Sequence, residues 1–456
     1  MKLFGWPLRA VSSLLLLLQS GALSAATRPQ YGGTLRVAIR SAPATLDPSE
    51  GADENSPESR NLSRLMFDTL VTLSDSGKVQ PALAVTWQEQ SGGQRWQLSL
   101  RRGVKFDDGS PLTPDIVASS LRTANLGWNI NSSDESVLIE LPQPNPALLA
   151  ELALERNSIV KRSSGTLHGT GPFHVTDWRA GQELSLVATE DYWDGRAYLD
   201  SIQIDVVNPR DQMLSLELGK ANLVNILPEQ ARKAVMEGRR ISTSPPLELM
   251  ALVFSRDRQS VDDGKLRESL ALAIDRISIK NVLLQGEGEP AGTILPRWLN
   301  GYDFLFSKEA DLARARQQVS ELRSRPSWTL GYDSGDPLAR LVAERIVLNA
   351  RDAGLNLQLA AGMSDVRLVR IILPSLDPWV SLMTVAKIAG LPAPKHAGDG
   401  PEDLYRAENQ LLRTDRMIPL FHLPLNYGLS PAVRNWVQRQ DGIWDLRNLW
   451  IASETR

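Results

Sequence analysis

Two hydrophobic periods alternate along this chain, and the places where one gives way to the other mark its elements. Leu62, Leu65, Met66, Thr69 and Leu70 recur at helical spacing, and Asp75-Ser76-Gly77 turns the chain before Pro81. Val85 and Trp87, then Trp96, Leu98 and Leu100, alternate with polar residues on either side of Ser91-Gly92-Gly93, which predicts a half-buried hairpin. A helix follows. Thr113 can cap it, Pro114 suits its first position because that backbone N–H lacks a partner anyway, and Val117, Leu121 and Ala124 share a face. Thr34 to Ile39 is a short β-prone run ended by Pro43 and Leu46-Asp47-Pro48, read as a first core strand. Val137, Ile139 and Leu141 alternate as a strand, as do Ile202, Ile204 and Val206, and Leu249 to Phe254 is the continuous apolar run of a buried strand.

Helical patterns lie between these runs. Gln212 to Leu218 carries Leu214 and Leu218 on one face and stops at Gly219. Asp262 or Asp263 can cap a helix whose stripe is Leu266, Leu270, Ala273, Ile274 and Ile277, and Asp275-Arg276 near its end reads as a helix-end or surface ion pair. Asp336 caps another that Pro337 starts, with Leu338, Leu341, Val342 and Ile346 on a face and Gly354 as its stop. Leu355, Leu357 and Leu359 then alternate as a strand. Helices feeding strands suit an α/β protein.

At 456 residues, with 42% hydrophobic, the chain has room for about three domains with real cores. A formal charge of -3 gives no basic footprint for phosphate, so nucleic acid is not expected as a partner. Lys2 and Arg9, the apolar run from Val11 to Leu18 and the small residues Ala22, Ser24, Ala25 and Ala26 read as a cleavable signal peptide over 1–26. That run is shorter than the roughly 20 residues a membrane span needs, so no stable membrane insertion is expected. The absence of cysteine excludes disulfides, thiol nucleophiles and thiolate metal sites.

Some of these residues carry a resemblance. Phe-Asp-x-Leu-Val at Phe67, the run from Gly77 to Trp87, and Leu100 to Leu121 with its Arg-Arg-Gly-Val-Lys-Phe and Asp-Gly-Ser-Pro are similar to the signature of the family 5 extracellular solute-binding proteins. That family holds the oligopeptide-, dipeptide- and nickel-binding proteins of ABC importers. Gly169-Thr170-Gly171-Pro172-Phe173 with Asp191-Tyr192-Trp193 resembles its second block, Lys265 to Arg276 its third, and Ile418 to His422 with Tyr427 to Trp436 its closing block. The resemblance implies a two-lobed α/β periplasmic binding protein of type II with an extra inserted domain and a ligand cleft between the lobes. It divides the chain into lobe I from 27–50, 166–248 and 432–456, an inserted domain over 51–165, and lobe II over 249–431. It further implies a monomer in the periplasm that takes a peptide or small-molecule ligand and delivers it to an ABC transporter membrane permease.

Val369 to Pro394 departs most from the family. Where peptide binders carry an aspartate that grips the peptide amine, alignment on Pro378 puts Pro374, and Asp377 either replaces that charge or makes the turn usual for Asp-Pro. Arg370 can receive a ligand carboxylate or face solvent. Trp379, Trp298 and Tyr427 can wall an organic ligand or fill the core. These five are the candidate ligand-binding residues. No nucleophile elbow, paired zinc histidines, phosphate loop or calcium loop occurs, so neither catalytic nor metal-binding residues nor a cofactor are expected. His168 and His174, six apart, read as structural, and His422 is the one histidine open to a metal-chelate ligand. Two other readings stand beside the importer: a sensory binding protein that reports to a membrane receptor, and a periplasmic hydrolase.

Overall fold

The computed structural model describes residues 28–50, 56–255, 263–323, 327–395, 398, 400–413 and 415–452. The signal peptide and Asp262 lie outside the described residues. One large mixed sheet runs through the molecule. Its strands, in spatial order, are Phe173–Arg179, Glu183–Ala188, Ser201–Val206, Thr34–Ile39, Leu223–Ile226, Met417–Leu429, Arg240–Phe254, Val366–Ile372, Ser327–Gly331 and Asn356–Leu359. Arg240–Phe254 and Met417–Leu429, 15 and 13 residues long, are the only two of these that serve both halves. At one end of the pair, Arg240 to Thr243 faces Asn426 to Leu429, which in turn pairs with Leu223–Ile226. At the other end, Glu248 to Val253 faces Met417 to Leu423 and pairs with Val366–Ile372.

Between the two ends the ladder breaks. Pro246 faces Pro424, and the register shifts on both sides of Pro246. Proline has no N–H to give, so a sheet tolerates it at such irregularities, and the same defect makes this the least cross-braced stretch between the halves.

Each half buries both faces of its part of the sheet. In the second half, Met250, Leu252 and Phe254 join one core while Leu249, Ala251 and Val253 join the other, as the two-residue period of a strand requires. In the first half, Leu35, Val37 and Ile39 pack under the helix Pro57–Met66, and Ala38 packs on the opposite side with Val224, Ile226 and Ala231. A third core, largely from 70–159, holds the Ala84–Gln90 and Arg95–Leu100 hairpin and the helix Pro114–Ala124, capped by Thr113. Leu376 and Val380 reach into it from the second half. Leu62, Leu65, Met66 and Phe67 pack instead in the core of the first half.

The first and second resembling blocks meet at one carboxylate. Asp68 accepts hydrogen bonds from Thr170 Oγ1 at 3.0 Å, Tyr192 Oη at 3.1 Å and Trp193 Nε1 at 2.8 Å. The Gly171 N–H satisfies the Met66 carbonyl left open at the end of the helix Pro57–Met66, 3.0 Å away. A Cβ on Gly169 or Gly171 would overlap that carbonyl, so the approach demands glycine at both positions. These residues fasten the helix to the sheet.

The structure departs from the pattern at Arg276 and at two helix faces. Arg276 makes no ion pair with Asp275. It is fully buried and donates to the Pro419 carbonyl at 2.9 Å and the Ala271 carbonyl at 3.3 Å, while Asp275 caps the short helix at Arg276–Ser278. Burial without a carboxylate lowers the Arg276 pKa to about 10. The helix Asp263–Ala273 ends before Ile277, which is exposed, as are Leu214 on the helix Gln212–Glu217 and Leu218 just after it.

Candidate ligand cleft between the lobes

The strand directions locate a cleft. Leu223–Ile226 runs antiparallel to Met417–Leu429, which runs antiparallel to Arg240–Phe254, which runs antiparallel to Val366–Ile372. Leu223–Ile226 and Val366–Ile372 therefore point at each other, and their carboxyl ends meet beside the proline break, at Asn426 and Glu248 respectively. Open α/β sheets bind ligands beyond the carboxyl ends of their strands. Here two such ends face one another.

Charge gathers there. Arg40 follows the strand Thr34–Ile39 and donates to Glu58 Oε1 at 3.3 Å, and Asn225 Nδ2 reaches the same oxygen at 3.5 Å. From the second half, Arg370 grips Glu248 with two bonds of 2.8 and 2.5 Å and Asp336 with one of 2.6 Å. Asp336 also caps the helix Pro337–Asp352 through the amides of Leu338 and Ala339. Burial works against the charge on Arg370, but Glu248 and Asp336 hold its pKa above the usual arginine value. Burial alone would raise the Asp336 pKa, and Arg370 with the two amides keeps it low. Glu229, in the first turn of the helix Pro228–Met236, goes the other way: burial raises its pKa, and the charge of Asp336 adds to the rise.

The loop from Pro43 to Pro48, the helix Pro57–Met66, Leu154 to Arg156, Pro374 and Thr384 line a cavity of about 70 Å³. Arg60 closes one side. It donates to the carbonyls of Leu373 at 3.2 Å and Pro374 at 3.1 Å, and to Glu155 at 3.3 Å. Glu155 also accepts from Arg64 at 3.1 Å; burial would raise its pKa, but the two arginines hold it down. Beyond Arg60 lies a wider, polar chamber of about 620 Å³, where Trp193 stacks under the Arg101 guanidinium at 4.5 Å and Asp68 faces inward.

Of the five candidate residues, Arg370 lies on this floor with its guanidinium held by two carboxylates. Trp298 is partly exposed at the break and donates to the Pro246 carbonyl at 2.9 Å. Asp377 caps the helix Pro378–Ala389 by accepting from the Val380 N–H at 2.9 Å. Trp379 is buried in the core of the second half, and Tyr427 in that of the first, edge-on to Trp444 at 5.6 Å. The structure thus brings Arg370 and Trp298 to the junction and leaves Trp379 and Tyr427 in separate cores. His422 is buried and donates Nε2–H to the Ile294 carbonyl at 3.0 Å. His168 pairs with Asp107 at 2.6 Å, while Lys161 takes the neighbouring Asp108.

Arg60, Glu58 and Glu229 do not stand out in the sequence pattern as site residues. For Glu229 a signal existed, since Pro228-Glu229 opens a helix directly after a strand, where side chains face the strand ends. Arg60 had none, because a single arginine on an amphipathic helix looks like a solvated one.

Residues 78–369 match the bacterial extracellular solute-binding proteins, family 5 middle region. The oligopeptide-binding protein AppA of Bacillus subtilis (strain 168) is 26% identical over 303 residues, which cover 60% of this chain and 55% of that relative, so the chain spans about half of its length. Two solved structures share the fold. NikA from Staphylococcus aureus in complex with Ni(L-His)2 superposes with a TM-score of 0.78 at 17% identity, over 92% of this chain and 99% of that one. The binding protein AgaA in complex with agropinic acid, from A. tumefaciens R10, gives 0.79 at 18% identity, over 92% and 99%. No helix among the described residues is long and apolar enough to cross a membrane.

Proposed function

The chain belongs to the bacterial extracellular solute-binding proteins of family 5, and from that premise we propose that it captures a small organic or peptide-like solute between its two lobes and delivers it to the membrane permease of an ABC importer. The observation that carries this reading is the pair of long strands broken at Pro246 and Pro424, with the carboxyl ends of both half-sheets facing each other beside the break. Two packed lobes joined by so few strands can rotate as bodies, and a ligand that touches both shifts the pair toward the closed form. The proposal has the protein working in the periplasm after loss of its first 26 residues, as a monomer with its lobes divided near 50, 165, 248 and 431 and the helix Pro57–Met66 packed on the first lobe.

The relatives divide over what they bind. AppA is an oligopeptide-binding protein, and the two solved structures hold a nickel chelate and agropinic acid. For this chain, Pro374 in place of a carboxylate argues against ordinary di- and tripeptides gripped at that position, which should bind poorly. Asp377 retains a place in the proposal as a relocated charge.

Mass spectrometry of small molecules released from natively purified protein tests the function. The co-purifying compound, added back to stripped protein, should change tryptophan emission, with Trp298 at the break as the natural reporter, and should emerge chemically unchanged. A compound that is turned over would favour a hydrolase. Release of nothing, together with no emission change from any extract, would refute solute binding.

A further inference from the structure

Glu229 is a charged group at the strand ends with one carboxylate oxygen left unpaired. Its Oε2 is closed off from solvent and has no hydrogen-bond partner. The charges around it are matched: Arg40 with Glu58, Arg370 with Glu248 and Asp336. Arg40 and Arg370 both draw on Glu229 electrostatically, but the carboxylate across the junction, Asp336, opposes it, and burial opposes it more. Glu229 stands on the helix Pro228–Met236 of the first half and Asp336 at the start of Pro337–Asp352 of the second.

Closing the lobes therefore brings a carboxylate of one lobe toward a carboxylate of the other and takes water away from Glu229. Both effects oppose closure. A positive group set beside Glu229 offsets both, and it does so where Asp336 acts on Glu229, as it does in this arrangement of the lobes. That is a differential interaction between the two states, which is what a ligand needs in order to drive the change. An anionic group finds no equivalent at this end of the cleft, because Arg40 and Arg370 already hold carboxylates.

We propose that Glu229 anchors a positively charged group of the solute, an ammonium or guanidinium, and that Glu229 and Asp336 together make lobe closure depend on that charge. This rests on the hinge-closing reading above, and the experiment separates the two. The chain has no cysteine, so Lys220→Cys and Met363→Cys, exposed and on opposite lobes, can carry a fluorescent donor and acceptor whose energy transfer reports lobe separation. Spermidine serves as the cationic probe, citrate as the anionic one and glucose as the neutral one.

Spermidine is expected to shift the wild-type protein to the shorter distance. Glu229→Gln should raise the spermidine concentration required at least tenfold, and Glu229→Asp should restore most of the response. Without any probe, Glu229→Gln should populate the short distance more than wild type does, because the repulsion across the junction is gone. Identical unliganded distance distributions for wild type and Glu229→Gln overturn the proposal, whatever the probes do. Closure by citrate or glucose that is equal in both proteins also overturns it, while leaving solute binding intact. A distance fixed under every condition overturns the hinge reading as well.

Discussion

Arg60 donates from the helix Pro57–Met66 to the carbonyl of Pro374 across 3.1 Å, tying the first half of the sheet to the loop that follows the Val366–Ile372 strand. With the second bond to Leu373 and the ion pair to Glu155, one side chain holds together three parts of the cleft wall.

Arg60→Met keeps the aliphatic stem and deletes these bonds, while Arg64 continues to neutralise Glu155. The closed form loses about 1.5–3 kcal/mol, the range for hydrogen bonds to a charged group, which is roughly a tenfold or greater loss in affinity for any ligand that requires closure. Titration of wild type and variant with the same ligand checks it. Equal affinities would mean that Arg60 only packs.

Asp68→Ala removes the shared acceptor of Thr170, Tyr192 and Trp193 and leaves those donors without it. The expected loss of folding stability is about 3 kcal/mol, read from the midpoint and slope of urea unfolding. A loss below about 1 kcal/mol would show that water replaces the carboxylate at no real cost.

His422 gives the protein an acid limb. Burial lowers its pKa from 6.5 to about 4, against the favourable bond to the Ile294 carbonyl. The unfolded chain takes up a proton near pH 6.5 that the folded protein refuses until about pH 4, so stability falls as pH drops through that window, by about 3 kcal/mol in all. His422→Gln keeps a donor for Ile294 and loses the titration. Its stability measured against pH should be flatter between pH 6.5 and 4. A slope equal to that of wild type would assign the limb to other groups.

Asp377 can act as a cap or as a ligand charge, and two substitutions separate these. As the cap of Pro378–Ala389, Asp377→Ala costs about 1 kcal/mol of stability and Asp377→Asn little, since asparagine caps as well. A ligand charge at Asp377 predicts instead that Asp377→Asn weakens binding while stability holds. Thermal melts and titrations of the two variants decide between the roles.

Much of this architecture was legible because local rules and tertiary packing agree. Thr113 and Asp336 cap the helices they precede, and Ile202, Ile204 and Leu249 to Phe254 are strand residues in the core. The long strands were the harder part. Only Leu249 to Phe254 read as strand, because Pro245, Pro246, Pro419 and Pro424 interrupt the pattern, and proline in a run argues against a strand unless the ladder is irregular there. The cleft was less legible still. Arg40, Glu58, Glu229 and Asp336 are far apart in sequence, and no periodicity relates them. Only the opposed strand directions bring them together. Trp379 and Tyr427 attracted attention as aromatics, yet burial in a core is the common fate of an aromatic ring.

The most direct measurement of the central claim, that two lobes close over a solute about the break at Pro246 and Pro424, is small-angle X-ray scattering on protein stripped of its co-purifying compound and then resaturated with it. The stripped protein should have the larger radius of gyration, and resaturation should lower it. A radius of gyration that does not change although the compound binds would contradict it.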